Sequence, residues 1–137
     1  MATENSFLNN ALRGQGSRAE SKQLLALTVN GNTTVTGTFT IPDSSWIDAV
    51  SIETPTAVSG TPTSCLVRLG TALHGQQIVA DVDGKSQGHI AATIVAGFDK
   101  VAGMVGATTI YVEVTTSGGT SSAGTINVLV RYAAPVT

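Results

Sequence analysis

Short segments in which apolar and polar residues alternate recur along most of the chain, and turn-forming residues separate them. The two clearest are residues 108–115 (TTIYVEVT) and 125–132 (TINVLVRY), in which β-branched or aromatic residues occupy every second position. A period of two places these residues on one face of a β-strand, because successive side chains point to opposite sides of a sheet. Charged residues make up only 12% of the chain, while threonine and serine are abundant, which favours strands and turns over helices.

The alternation predicts about eight strands. The third is predicted to place Trp46, Val50 and Ile52 on one face. The predicted strands are residues 23–29, 33–41, 46–53, 64–69, 76–82, 89–95, 108–115 and 125–132.

Three linkers carry residues that are typical of hairpins. Asn30-Gly31-Asn32 contains the Asn-Gly pair that type I′ turns prefer, and residues 83–86 (DGKS) form a similar Asp-Gly turn. The serine- and glycine-rich run 117–124 predicts a long, flexible hairpin loop. Residues 54–63 are predicted to form a loop with an edge segment, and residues 97–107 a packed loop.

Eight short strands with no convincing helix among them predict an all-β fold. A single β-sandwich, of jelly-roll or immunoglobulin-like topology, is the natural way to bury the apolar faces of such strands. The order of the strands within the sheets stays open at this point.

The first part of the chain differs from the rest. Residues 1–21 are polar with isolated apolar side chains, compatible with a short helix over residues 6–13 and equally with a frayed chain end. The sequence therefore predicts an N-terminal arm, residues 1–21, followed by a β-sandwich domain, residues 22–137. We expect the arm to dock on a neighbouring subunit or another protein, with its basic residues meeting acidic surface. The predicted contact residues are Phe7, Leu8, Leu12, Arg13 and Arg18.

One segment resembles the opening of a calcium-binding loop. Asp81 and Asp83 alternate before Gly84, as carboxylates do when they converge on a hard cation. Lys85 occupies the next ligand position, however, and no glutamate closes the loop. A tight turn explains the same residues, so no metal site is expected.

The remaining candidates for chemistry are isolated. His74 and His89 have no carboxylate or cysteine near them at ligand spacing, and Cys65 alternates with Val67 and Leu69 as a core residue would. No nucleophile elbow or phosphate-binding loop occurs. An enzyme on a cupin-like scaffold is disfavoured, because such a site needs clustered histidine and glutamate ligands. We expect no catalytic residues and no cofactor.

Charge and cysteine usage restrict the partners. A net charge of -2 with scattered basic residues argues against nucleic-acid binding, which needs clustered lysine and arginine. The chain has no apolar run long enough for a bilayer, no secretory signal pattern, and one cysteine, which cannot form an internal disulfide. These features predict a soluble protein made in a reducing cytosol, without a membrane partner. Low charge also suits close protein–protein packing.

Three features of the sequence are its polar N-terminal segment, its Thr/Ser/Gly-rich strands and the closing pair IYVEVT and TINVLVRYAAPV. In these features the chain resembles small virion proteins of tailed bacteriophages. That group includes head decoration (cement) proteins and compact pieces of head fibres. The resemblance implies a non-enzymatic structural role on the capsid surface after synthesis in the host cytoplasm. It also implies contacts with the major capsid protein or other virion proteins, and a homo-oligomer for which a trimer is expected.

A second interpretation is a carbohydrate- or receptor-binding β-sandwich module of a phage fibre or tail. In that case residues 70–76 and 117–124 are predicted to form the contact surface.

Overall fold

The computed structural model describes residues 18–31, 33–42, 45–95 and 108–135, which form ten β-strands. None of these residues belongs to a helix that could cross a membrane. The strands are β1 (Arg18–Thr28), β2 (Thr34–Ile41), β3 (Trp46–Thr54), β4 (Ser59–Gly60), β5 (Ser64–Gly70), β6 (Val79–Asp83), β7 (Gly88–Ala92), β8 (Thr108–Ser117), β9 (Ser121–Ala123) and β10 (Thr125–Pro135). The all-β prediction is confirmed, and each predicted strand has a counterpart.

Two four-stranded antiparallel sheets contain eight of these strands. Sheet I has the order β1-β10-β3-β7, and sheet II has the order β2-β8-β5-β6. The chain changes sheet at almost every connection, and only β5 and β6 are consecutive along the chain and paired with each other. This order is that of an eight-stranded jelly roll and not that of an immunoglobulin domain. It decides between the two topologies that the sequence left open.

The three linkers predicted as hairpins do not join paired strands, so that prediction is wrong. The Asn-Gly turn leads from β1 in sheet I to β2 in sheet II, and the other two linkers also change sheet. Glycine does supply the required backbone conformation, with φ of 87° at Gly31 and 79° at Gly118. A turn sequence permits a sharp change of direction, but pairing with distant strands decides which sheet the chain then enters.

The core lies between the two sheets and is aliphatic. Both sheets contribute alternate residues to it, which is why the period of two located the strands. Cys65 is fully buried there, which confirms the prediction that it is a core residue. Burial raises the pKa of its thiol above the ordinary value. The largest fully buried aliphatic residues include Ile41, Ile47, Ile52, Leu69, Ile78, Ile110 and Ile126.

A β-bulge corrects the prediction for Trp46. In the pairing of β10 with β3, Arg131 lies opposite Ala49 while Tyr132 lies opposite Ile47, so one residue of β3 has no counterpart. An extra residue reverses the alternation on its N-terminal side. Ile47 is therefore buried and Trp46 only half-buried, whereas the alternation without a bulge placed Trp46 on the core face.

The boundary between the predicted arm and the sandwich domain lies earlier in the chain than predicted. Strand β1 begins at Arg18 and pairs with β10 from that residue onward, so residues 18–21 belong to sheet I and not to an arm. Residues 19–22 are exposed, because the strand extends past the core at the edge of the sheet. An edge segment with polar residues on both faces has no hydrophobic alternation by which the sequence could reveal it.

Candidate functional site

The structure places one of the five predicted contact residues. Arg18 is the first residue of β1 and lies opposite Pro135 of β10. Phe7, Leu8, Leu12 and Arg13 lie outside the described residues, so a contact made by these side chains stays a prediction.

A buried carboxylate that the sequence analysis did not single out lies on the outer face of sheet II. Glu113 is in the middle of β8, its side chain is only 2% exposed, and its neighbours Val112 and Val114 point into the core. His74, in the loop of residues 71–78, lies against it. The backbone N–H of His74 donates a hydrogen bond to one carboxylate oxygen, and the His74 ring Nδ1 lies 2.9 Å from the other.

These two bonds hold His74 in an unusual conformation. Its φ is 65°, in the left-handed region that residues other than glycine seldom adopt. No carboxylate lies near His74 in sequence, and Glu113 reaches it from 39 positions away. The polar position within TTIYVEVT was the only sequence signal, and it could not show which loop would return to cover it.

A row of alternating charges crosses sheet II beside this contact. Arg68 of β5 lies opposite Glu113 in the register. On its other side, Arg68 makes two hydrogen bonds to the carboxylate of Asp81 on β6, at 2.8 and 3.1 Å. We call Arg68, His74, Asp81 and Glu113 the Glu113 cluster. Within this cluster the carboxylate of Asp81 is bound by Arg68.

In the segment that resembles a calcium loop, the carboxylate of Asp83 is already bound by backbone N–H groups. Asp83 Oδ1 accepts hydrogen bonds from the N–H groups of Cys65 and Lys85, both at 3.0 Å. The bond to the residue two positions ahead is the pattern of an Asx-turn. Among the residues that the structure describes, no three histidine, cysteine, aspartate or glutamate side chains converge as a metal site would require.

The two loops predicted to form a receptor-contact surface lie at opposite ends of the sandwich. Ser64, at the start of β5, pairs with Ser117, where the second loop begins, while Gly70, at its end, pairs with Tyr111. Seven strand residues separate the two ends by roughly 20 Å, at about 3.3 Å per residue. The two loops therefore cannot form one contact surface within a single copy.

Hydrogen bonds join the linkers at one end of the sandwich, which we call the four-loop end (residues 29–31, 55–63, 84–87 and 117–124). Gly31 N–H donates to Ser121 O at 2.8 Å, Thr61 N–H to Thr120 O at 3.0 Å and Val58 N–H to Lys85 O at 2.9 Å. Strand β9 also pairs with β4. The run 117–124, predicted to be a flexible loop, is thus an ordered part of this end.

An open cleft of about 620 Å³ lies at the four-loop end. The described residues that line it have hydroxyl, amide or small apolar side chains, and none of them is charged or aromatic. Such a lining offers hydrogen bonds but no ring on which a sugar could stack. A second open groove, of about 540 Å³, crosses the outer face of sheet I.

No protein-family model matches the chain, and no curated protein matches it either. Solved structures are similar to it. They include a chain of the cyanophage Pam1 capsid asymmetric unit, with a TM-score of 0.56 and 19% identity over 88% of this chain and 86% of that chain. A chain of the Ralstonia phage GP4 capsid matches with a TM-score of 0.55 and 15% identity, over 88% of this chain and 85% of that chain.

A third match is a chain of the acidic stable capsid of Helicobacter pylori bacteriophage KHP30. Its TM-score is 0.51 with 14% identity, over 87% of this chain and 94% of that chain. At such identities the similarity shows the fold alone. The sandwich described above is thus shared, over most of each chain, with proteins from three phage capsids.

Proposed function

We propose that this chain is a non-enzymatic structural protein of a bacteriophage virion, which decorates or cements the capsid through protein–protein contacts. One observation carries the proposal: the fold similarity extends over most of this chain and most of each capsid chain. Because one fold can serve many functions, the surfaces of this chain must also suit the role.

The outer face of sheet II supports contact between proteins. Thr34, Thr36, Thr38 and Thr40 project from β2 and are exposed. The nearby charges of Arg68, Asp81 and Glu113 lie side by side and partly bond to one another. Surfaces with few unpaired charges lose little solvation energy when another protein covers them, since charged residues are depleted at interface cores.

A sheet edge without charged residues supports association of several copies. Strand β2 is at the edge of sheet II, and its sequence TVTGTFTI contains neither a charged residue nor a proline. Natural proteins commonly protect such an edge with lysine, proline or a covering segment. We propose that subunit contacts cover it in a homo-oligomer, with a trimer as the expected form, and that residues 1–17 dock on a neighbouring virion protein through Phe7, Leu8 and Leu12.

The receptor-binding alternative has less support. Its two loops are about 20 Å apart by strand geometry, and no aromatic residue lines the described part of the cleft at the four-loop end. No observation favours it over the capsid role.

Binding to capsids tests the proposal. Virions from a phage whose gene for this chain is deleted would be mixed with the purified protein and sedimented. We expect saturable co-sedimentation of the full chain, and at least ten-fold weaker binding after deletion of residues 1–17. This deletion stops before β1 and leaves sheet I complete.

Matched controls would be the variant Phe7→Ser/Leu8→Ser/Leu12→Ser, expected to bind as weakly as the deletion, and Thr3→Ala, expected to bind normally. Absence of saturable binding by the full chain would overturn the proposed function. Normal binding by the truncated chain would overturn only the role assigned to the arm.

A further inference from the structure

The groove on the outer face of sheet I crosses the strands diagonally, from one corner of the sheet to the other. Every residue that lines it points away from the core, so none of these side chains is needed for internal packing. The lining residues are Lys22, Leu24, Ser51, Glu53, His89, Asn127, Leu129 and Arg131.

One end of the groove is basic. Lys22 of β1 lies directly opposite Arg131 of β10, and both are exposed. Like charges opposite each other on a sheet are unfavourable unless an anion lies near both. Glu20 also lies near them, but it takes part in a contact of its own. Within the described part of the chain, neither Lys22 nor Arg131 has an ion pair.

The other end is acidic. Glu53 of β3 is exposed and lies opposite Asn127 on one side and His89 on the other. No salt bridge joins Glu53 to another described residue. The groove therefore has two cations at one end and a carboxylate at the other, and none of the three forms an ion pair with a described residue.

The middle of the groove is apolar. Leu24 lies opposite Leu129, which in turn lies opposite Ser51. Leu24 is 62% exposed, more than any other large apolar residue in the described ranges. An exposed leucine beside a half-buried one, between polar ends, suits a surface that another protein covers.

The two charged ends lie on either side of the Leu129–Ser51 pair. Arg131 lies opposite Ala49 and Glu53 lies opposite Asn127, so the ends are about 14 Å apart along the strands at about 3.4 Å per residue. Consider a two-fold axis that lies in the plane of this face and runs perpendicular to the line between the two ends. Rotation about this axis would place the basic end of one copy on the acidic end of another. The leucines of both copies would then meet at the centre. A two-fold contact uses one patch twice, and it requires this kind of self-complementarity.

We propose that two copies of this chain associate face to face through the outer face of sheet I, with Lys22 and Arg131 of each copy bound to Glu53 of the other. The proposal names a surface for the self-association within the proposed function and rests on it to that extent. Because a two-fold contact cannot close a trimer, it joins copies that belong to different trimers.

The face is small. Four strands about 4.8 Å apart and 20 Å long offer on the order of 400 Å² per copy, about half of what a standard stable interface buries on each side. We therefore expect weak association that high salt suppresses, since exposed charge pairs are screened.

Charge reversal gives a specific test, because the two ends can be altered separately. The variant Lys22→Glu/Arg131→Glu has two acidic ends, and the variant Glu53→Lys has two basic ends. All three residues are exposed, so both variants should keep the wild-type melting temperature. Ser86→Glu/Gln87→Glu, in the exposed linker between β6 and β7 and outside the groove, is the control for added negative charge.

Sedimentation velocity at low salt and up to millimolar protein measures the association. We expect the wild type and the control to show a doubling of assembly mass that disappears at high salt. Each charge variant alone should associate at least ten-fold more weakly, and an equimolar mixture of the two should restore the doubling, because unlike ends then meet. No doubling by the wild type, undiminished association of either variant alone, or no recovery in the mixture would overturn the proposal.

The two proposals fail separately. Loss of the mass doubling with normal binding to capsids would reject only the face-to-face contact. A doubling that responds to the variants as expected, without any binding to capsids, would reject the virion role and leave the contact standing.

Discussion

The two ends of the sandwich are held together by different means. At the four-loop end, backbone groups bond to backbone groups of other linkers, as Gly31 does to Ser121 and Thr61 to Thr120. At the opposite end, backbone bonds anchor Ile78 at the end of the loop of residues 71–78, and the middle of this loop is tied to sheet II through the side chain of Glu113, which bonds to His74. Backbone bonds do not depend on side-chain identity except where glycine is required, whereas a side-chain contact is lost with one substitution. The two ends should therefore respond to different kinds of mutation.

The largest expected effect is that of Gly60→Ala at the four-loop end. Gly60 has a φ of 105°, and an added Cβ would collide with the backbone oxygen of Thr120. We expect a loss of about 3 kcal/mol in the free energy of unfolding, from conformational strain and displaced backbone, measured by denaturant titration. Gly31→Ala is the matched control, since its φ of 87° carries strain but no atom lies within 4 Å of its Cβ. Equal losses in the two variants would show that the close approach of the linkers does not matter.

A somewhat smaller loss is expected for Glu113→Ala at the opposite end. The substitution removes both acceptors of His74 and leaves its N–H without a partner, which costs about 2 kcal/mol. Hydrogen exchange should show faster exchange at residues 71–78 and unchanged protection at the four-loop end. Thr115→Ala, on the same outer face of β8, is the control. Faster exchange at both ends would mean that the two ends are not held independently.

The conformation of His74 allows a finer test of the same loop. Because its φ is 65°, His74→Gly should relieve backbone strain, while both His74→Gly and His74→Ala lose the bond from the ring. We expect the glycine variant to be about 1 kcal/mol more stable than the alanine variant, by thermal unfolding. If alanine were as stable as glycine, the bond from the backbone N–H to Glu113 would not be holding a strained conformation.

The smallest expected effect is a dependence of the free energy of unfolding on pH, which arises from Cys65 at the four-loop end. The N–H and carbonyl groups of Cys65 bond to Asp83 and Gly84 there, and burial raises the pKa of its thiol. At a pH above the pKa that the thiol has in the unfolded chain, the unfolded chain loses this proton while the folded protein keeps it. The free energy of unfolding should therefore decline as the pH rises further. Cys65→Ala should remove that part of the alkaline decline in denaturant titrations.

Labelling of Cys65 by a thiol reagent gives the companion measurement. It should be accelerated more in Gly60→Ala than in Glu113→Ala, because only the first substitution disturbs the end of the sandwich where Cys65 lies. Labelling of the wild type at the rate of a free thiol would contradict the burial on which both expectations depend.

Local patterns in the sequence indicated the strands but not their partners. The alternation in residues 108–115 and 125–132 reflects one buried face, which any sandwich requires, so the strands and the all-β class were predictable. The Asn-Gly and Asp-Gly turns describe only the local backbone, and the pairing of β1 with β10 depends on residues about a hundred positions apart. The bulge near Trp46 has no local signature for the same reason.

Some features of the candidate sites were predictable from the sequence and others were not. The turn at Asp83 and the burial of Cys65 follow from neighbouring residues, and both were anticipated. The contact between His74 and Glu113 joins two residues that share no sequence pattern, and it forms only because the loop after β5 returns across sheet II. The groove on sheet I likewise exists only once β1, β10, β3 and β7 lie side by side.

The most direct test of the proposed virion role is quantitative mass spectrometry of gradient-purified virions from any phage whose genome carries the gene for this chain. The account predicts that the chain is present in a constant ratio to the major capsid protein across independent preparations, as a protein bound at defined capsid positions must be. A chain that is abundant in the infected-cell lysate but absent from the virions, or present only in traces that vary between preparations, would contradict it.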